Sequence, residues 1–218
     1  MRLLALGMFV ATAWAQDCRS LHRHGKLNEA KACFTKLTQS GNALQMAEGY
    51  WYLNNSDQAN NFFRAAVKAQ PKNPEPRVRW GRFYLERNKR EDAAALFAEA
   101  LEVQKDYAPA LIGMALVAAG GFDPKSVEFA EKALKQDPKA YEAHEVLARF
   151  AMEDGNPTEA AVQADKALAI SPEAQDALII RATIDWMEGK PGTEWTDRLE
   201  KVNPAYAEGY TLAARIFV

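Results

Sequence analysis

Small and apolar residues return along this chain in helix-length stretches, two per unit, with polar connectors between them. Ala59, Ala93, Ser126 and Ala160 fall 34, 33 and 34 residues apart. Ala66, Ala100, Ala133 and Ala167 repeat the beat one helical stretch later, and Pro71, Pro138 and Pro172 close three of the units. Between Pro74 and Tyr107, Trp80, Gly81 and Tyr84 mark a first helix. Ala93, Phe97 and Ala100 mark a second, and Glu86 to Arg90 form the polar connector. A period of this length, with helical spacing inside each half, predicts stacked helical hairpins: about ten short antiparallel helices and no strand.

The beat divides the chain into units at 40–73, 74–107, 108–140, 141–174 and 175–206. The first helix of each carries a small residue (Ala47, Gly81, Ala115, Ala148, Ala182), expected to let the two backbones of a hairpin approach. Gly81 is expected to face Ala93, with Phe97 filling the wider space beside them. The third unit is one residue short, and the turn Gly120 to Pro124 is where the loss is expected. In the last unit Glu194 stands where a small residue belongs, and Gly189 to Thr193 is expected to be a turn with a helix cap. Residues 16–39 read as a capping half-repeat and 207–218 as the first helix of a further, truncated repeat, which suggests an array continuing past Val218 or an apolar end that docks elsewhere.

The order large residue, small residue, aromatic, then Ala, Phe, Ala and Pro resembles the tetratricopeptide repeat, here in a bacterial exported form. The match is degenerate: Trp80 replaces a leucine, Arg77 the first tryptophan and Lys105 the closing proline. The resemblance implies an all-α fold, a right-handed superhelical solenoid of antiparallel helix-turn-helix repeats. It also implies a non-enzymatic scaffold that holds a protein or extended peptide in a concave groove lined by the first helices. Carried onto this chain, the groove residues are Trp51, Tyr52, Arg79, Arg82, Arg149, Met152 and Trp186. The Lys/Asn/Arg set by which some members clamp a terminal carboxylate is absent, since Leu44, Glu48, Arg79, Pro109 and Gly113 hold those places. Arginine beside aromatic residues suits an extended peptide with apolar and acidic side chains. The alternative is an accessory module of a longer protein whose catalytic or membrane domain lies beyond residue 218.

The ends and the charge refine this. Arg2, the apolar run Leu3 to Ala11 and the small-x-small site Ala13-Trp14-Ala15 read as a signal peptide at 1–15, against a buried N-terminal helix as the other reading. A signal implies an exported chain, periplasmic or secreted, with no membrane span once it is removed. The 27 basic and 29 acidic residues exclude a globally basic nucleic-acid binder. The two cysteines, Cys18 and Cys33, are expected to form a disulfide in such a compartment. Free thiols, or a metal site using His22, are the alternatives.

No catalytic constellation stands out. There is no metalloprotease His-Glu-x-x-His, nucleophile elbow or phosphate-cradling loop, so no catalytic residue, cofactor or metal is assigned. His144 reads as a histidine at the edge of the core. The densest basic stretch, Arg77, Arg79, Arg82, Arg87, Lys89 and Arg90, is either a solvated helix and loop or an anion-facing groove.

Overall fold

The computed structural model describes residues 17–206 together with Ala213 and Ala214. The signal peptide expected at 1–15 and nearly all of the helix expected at 207–218 lie outside the described residues. Helical residues 17–23 form α1. After it come α2 (Leu27–Leu37), α3 (Ala43–Tyr52), α4 (Ser56–Ala69), α5 (Glu75–Leu85), α6 (Arg90–Val103), α7 (Ala108–Ala119) and α8 (Lys125–Gln136). They are followed by α9 (Tyr141–Glu153), α10 (Pro157–Ile170), α11 (Gln175–Met187) and α12 (Thr193–Val202). Among the described residues there is no strand.

Each odd-numbered helix from α3 to α9 packs mainly on the helix that follows it, α11 packs about equally on α10 and α12, and the hairpins stack on one another. The first helices of successive hairpins also touch, α5 on α7, α7 on α9 and α9 on α11. These helices therefore form one continuous inner layer, and the array is an all-α helical repeat solenoid.

Three devices explain why this sequence adopts it. The first is the left-handed residue that turns each hairpin: Asn54, Asn88, Phe122, Gly155 and Gly189 all have φ between 54° and 74°, at spacings of 34, 34, 33 and 34. Asparagine and glycine tolerate that geometry; an aromatic adopts it only under strain. Phe122 keeps the phase of the turn, so the residue missing from the third unit falls between Phe122 and Ser126. The second device is capping. Asn42, Asn55 and Asn156 accept backbone N–H bonds at the starts of α3, α4 and α10. At α12 the cap position is Gly192, at φ 64°, and the Trp186 indole lies where a side chain at 192 would stand.

The third device is the small slot. Ala47, Ala59, Ala93, Ala115, Ala148, Ala160 and Ala182 are all fully buried. The group nearest Gly81 is the Phe97 ring: a methyl group on Gly81 would lie 2.6 Å from it. Gly113 of the next unit also lies against this ring, where a methyl would be 2.4 Å away. The two glycines thus make room for one wholly buried phenyl group that locks two units together.

Candidate functional site

The inner layer is organised in columns that follow the repeat. One column is Glu48, Arg82, Leu116, Arg149 and Thr183, and another is Glu75, Pro109, Glu142 and Asp176. Arg149 donates to Asp176 of the next unit, 27 positions on. The same step from Arg82 arrives at Pro109, which has no charge. Arg82 therefore reaches over α7 to Glu142, to which it donates two hydrogen bonds of 2.9 and 2.5 Å. Toward the N-terminus, buried Glu48 lies 3.0 Å from Arg19 of α1 and 3.5 Å from Arg79. Arg79 also pairs with Glu75 at 2.7 Å, and Glu75 accepts the Tyr107 hydroxyl at 2.8 Å. The result is a ladder of ion pairs joining α1, α3, α5, α9 and α11 across the inner face.

The ladder also closes on itself. Arg23 of α1 donates to Glu173, in the turn before α11, at 2.8 Å, and His24 lies 3.4 Å from the same carboxylate. A side chain on Gly25 would meet Pro204 at 2.8 Å, so the N-terminal hairpin rests against the last described turn. Where the two ends meet, a cavity of about 280 Å³ is lined by Arg23, Leu116, Tyr141, Glu145, Asp176 and Tyr206, among others.

Charge and burial interact strongly here. Burial alone would raise the Glu142 carboxyl, but the charge and hydrogen bonds of Arg82 carry it below the usual carboxylate range. Glu142 in turn raises the Arg82 guanidinium. Burial, reinforced by Asp176 and Glu142, raises Glu145 well above the usual range, although two backbone N–H groups of α11 pull the other way. Burial with Glu142 and Glu145 nearby pushes the Tyr141 phenol up to about 12. Burial and Asp176, which accepts its hydroxyl proton, raise Tyr206 as well.

The residues singled out from the sequence meet different fates. Arg79, Arg82 and Arg149 do line the inner layer, but each already has a carboxylate within the chain. Trp51 is 4% exposed, packs among Tyr52, Phe63 and Phe83, and donates its indole N–H to Glu86 at 2.8 Å. Met152 is 5% exposed, inside the core around α9 to α11. Tyr52 stacks on Phe34 at 4.3 Å, tying the N-terminal hairpin to α3. Trp186 donates to the Pro191 carbonyl and closes the turn before α12. The basic stretch disperses around α5: Arg77 joins Glu99, and Arg87 lies over the Phe83 ring. His144 meets Gln163 at 2.7 Å, at the edge of the core.

The Cys18 and Cys33 sulfurs are at bonding distance, with Cα atoms 5.5 Å apart, within the span a bridge requires. His22 stands edge-on to Phe34 and Tyr52. Among the described residues no group of three or more His, Cys, Asp or Glu side chains is placed to hold a metal ion, and no helix is long and apolar enough to cross a membrane.

Sequence reasoning missed Glu142, Asp176, Glu173, Arg23 and Tyr206. Glu142 and Asp176 were visible in principle, as acids one repeat apart on the inner layer. Arg23 and Glu173 were not, because their meeting depends on the curvature of the whole array.

The sequence matches the tetratricopeptide repeat over residues 50–118 and, with a second version of the repeat, over residues 111–176. No curated protein sequence matches it. Among solved structures it is similar to PilW, described as a widely conserved type IV pilus biogenesis factor, with 24% identity, 93% of this chain and 98% of that one covered, and a TM-score of 0.60. A tetratricopeptide repeat protein from Parabacteroides merdae shares 17% identity, with 95% and 84% covered and a TM-score of 0.67. Pseudomonas aeruginosa pilF shares 15%, with 94% and 97% covered and a TM-score of 0.60. At these identities the likeness is one of fold.

Proposed function

The chain belongs to the tetratricopeptide-repeat family, and from that premise we propose that it is a non-enzymatic scaffold holding an extended peptide or protein segment along its inner face. The single observation that carries this reading is the continuous layer of first helices from α5 to α11. Its side chains form a charged ladder and leave a cavity of about 280 Å³ between ends that meet. A polar wall held in fixed geometry on rigid helices suits recognition of a segment by side chain. Arg79, Arg82 and Arg149 serve this surface as fixed members of the ladder. Trp51 and Met152 serve it by packing beneath.

The site of action in this reading is outside the cytoplasm. The charged, apolar and small-x-small succession at 1–15 supports export to the periplasm or beyond, and the approach of Cys18 to Cys33 supports a bridge in the mature protein. PilW, described as a type IV pilus biogenesis factor, has a similar fold. A module acting on behalf of a domain elsewhere in a longer chain would use the same face.

Affinity capture from an extracytoplasmic extract tests the reading. Leu116→Lys alters the inner wall on α7; Glu131→Lys with Glu159→Lys alters exposed positions on α8 and α10. The partner should be lost with the first variant and kept with the second. Equal capture by the Leu116 variant and the parent would place the binding surface elsewhere.

A further inference from the structure

At one inner position the array departs from its own pattern. Leu44, Val78, Ile112, Glu145 and Ile179 form a column at spacings of 34, 34, 33 and 34. Val78, Ile112 and Ile179 are buried aliphatic residues, as a first helix packed against its neighbours requires. Glu145 puts a carboxylate in that place. Its Oε1 accepts from the backbone N–H groups of Asp176 and Ala177, at 3.0 and 3.3 Å. Its neighbours Glu142 and Asp176 have Arg82 and Arg149. No ion pair reaches Glu145 among the described residues. It lines the cavity with Tyr141, Tyr206, Leu116 and Val146 around it.

A second observation shows what this cavity accepts. Arg23 reaches it from α1, 150 positions earlier in the chain, and lays a guanidinium against its acidic rim through Glu173. The fit is incomplete: the Arg23 Nε is buried there without a hydrogen-bond partner, and the Arg23 and Glu173 side chains remain 35% and 43% exposed. We propose that the cavity between α9 and α11 is a subsite for a basic side chain, arginine above all, of an extended peptide partner, and that Arg23 is the resident cation such a side chain displaces. Arginine fits because its planar fork can meet two carboxylates at once while its face lies on a tyrosine ring. Apolar Leu116 and Val146 accommodate the stem. This inference rests on the inner face being the binding face.

Fluorescence anisotropy with the labelled peptide Gly-Ser-Arg-Leu-Arg-Ser-Gly, and with its citrulline and glutamate counterparts, tests it. Citrulline keeps the shape of arginine and removes the charge. The arginine peptide should bind at least about tenfold more tightly than the citrulline peptide, the scale of one charge-assisted contact. Arg23→Ala should tighten it further, and Glu145→Gln should abolish the preference. Glutamine at 145 still accepts the α11 amides; should that variant fail to fold, Glu173→Gln carries the same expectation. Equal affinity for arginine and citrulline peptides, absence of binding, or weaker binding by Arg23→Ala would each overturn the proposal. A preference for the glutamate peptide would overturn it too, while leaving the inner face as a binding surface. Failure of that broader reading shows separately, in the capture experiment with Leu116→Lys.

Discussion

Gly113→Ala offers a sharp test of how the units interlock, because two effects of opposite sign compete at one residue. At an exposed helical site, replacing glycine by alanine stabilises by about 1 kcal/mol. At Gly113 the added methyl would lie 2.4 to 2.5 Å from three atoms of the Phe97 ring. Ordinary contact begins near 3.4 Å, so the ring must retreat by almost 1 Å. It cannot do so easily, because the ring is wholly buried and the backbone of Gly81 already lies close against the same ring. Overpacking of this kind costs about 1–3 kcal/mol, and the net expectation is a loss of about 1–2 kcal/mol. Phe97→Leu vacates part of the ring volume and on its own costs on the order of 1–2 kcal/mol. In the double variant the methyl added at position 113 fills some of that space, so the two losses should fall short of their sum by about 1 kcal/mol or more. Urea unfolding of the four proteins, followed by circular dichroism at 222 nm (the helical signal), supplies the cycle, with ~0.5 kcal/mol as its resolving limit. Additive losses, or an alanine variant more stable than the parent, would refute the wedge.

The remaining predictions concern strain, charge and the N-terminal hairpin. Phe122→Gly should raise stability by about 1 kcal/mol, because it relieves an aromatic held at φ 56° that is 61% exposed and contributes little packing; an unchanged melting temperature would contradict this. Glu145→Gln should raise the melting temperature at pH 8 more than at pH 5. A carboxyl raised in the folded state contributes stability that is complete below the ordinary carboxyl range and is lost as pH rises through the folded value, so the parent suffers most at high pH; an equal gain at both pH values would contradict it. Glu142 has the opposite sign: its depressed carboxyl contributes stability above the ordinary range that is lost as pH falls through the folded value. Glu142→Gln should therefore destabilise at pH 7 and become neutral in strong acid. Cys18 and Cys33 should resist alkylation in non-reduced mature protein, and a bridge closing a loop of 15 residues contributes about 3 kcal/mol on the chain-entropy argument. Two alkylated thiols, found by mass spectrometry, would contradict the bridge.

The fold was legible because tetratricopeptide packing repeats locally. Each small slot, from Ala47 to Ala182, answers to a neighbour within its own hairpin or the next, so its meaning recurs every 34 residues or so. The Phe97 wedge was half legible: Gly81 announced a close approach, but only the folded chain shows that the approaching group is a ring shared with Gly113. The inner face was harder for two reasons. Arginines in the groove suggested charges waiting for a partner, whereas Arg82 and Arg149 are answered from within by acids in a neighbouring column. Glu142 is 60 positions from Arg82, a distance fixed by the chance that Pro109 occupies the nearer place. Trp51 and Met152 were expected to anchor a ligand, yet large apolar side chains on a first helix can turn toward the next unit as readily as toward the groove, and these two do. The contact of Arg23 with Glu173 depends on the curvature summed over every unit between them, which no local pattern encodes.

Position-specific photocrosslinking tests the inner-face assignment most directly. A photoreactive phenylalanine at Leu116, on the wall of α7, and the same group at Glu131, exposed on α8, differ only in which layer they report. With the partner recovered by capture, the inner-face assignment requires a crosslink from position 116 and none from position 131. A crosslink from 131 with none from 116 would contradict it.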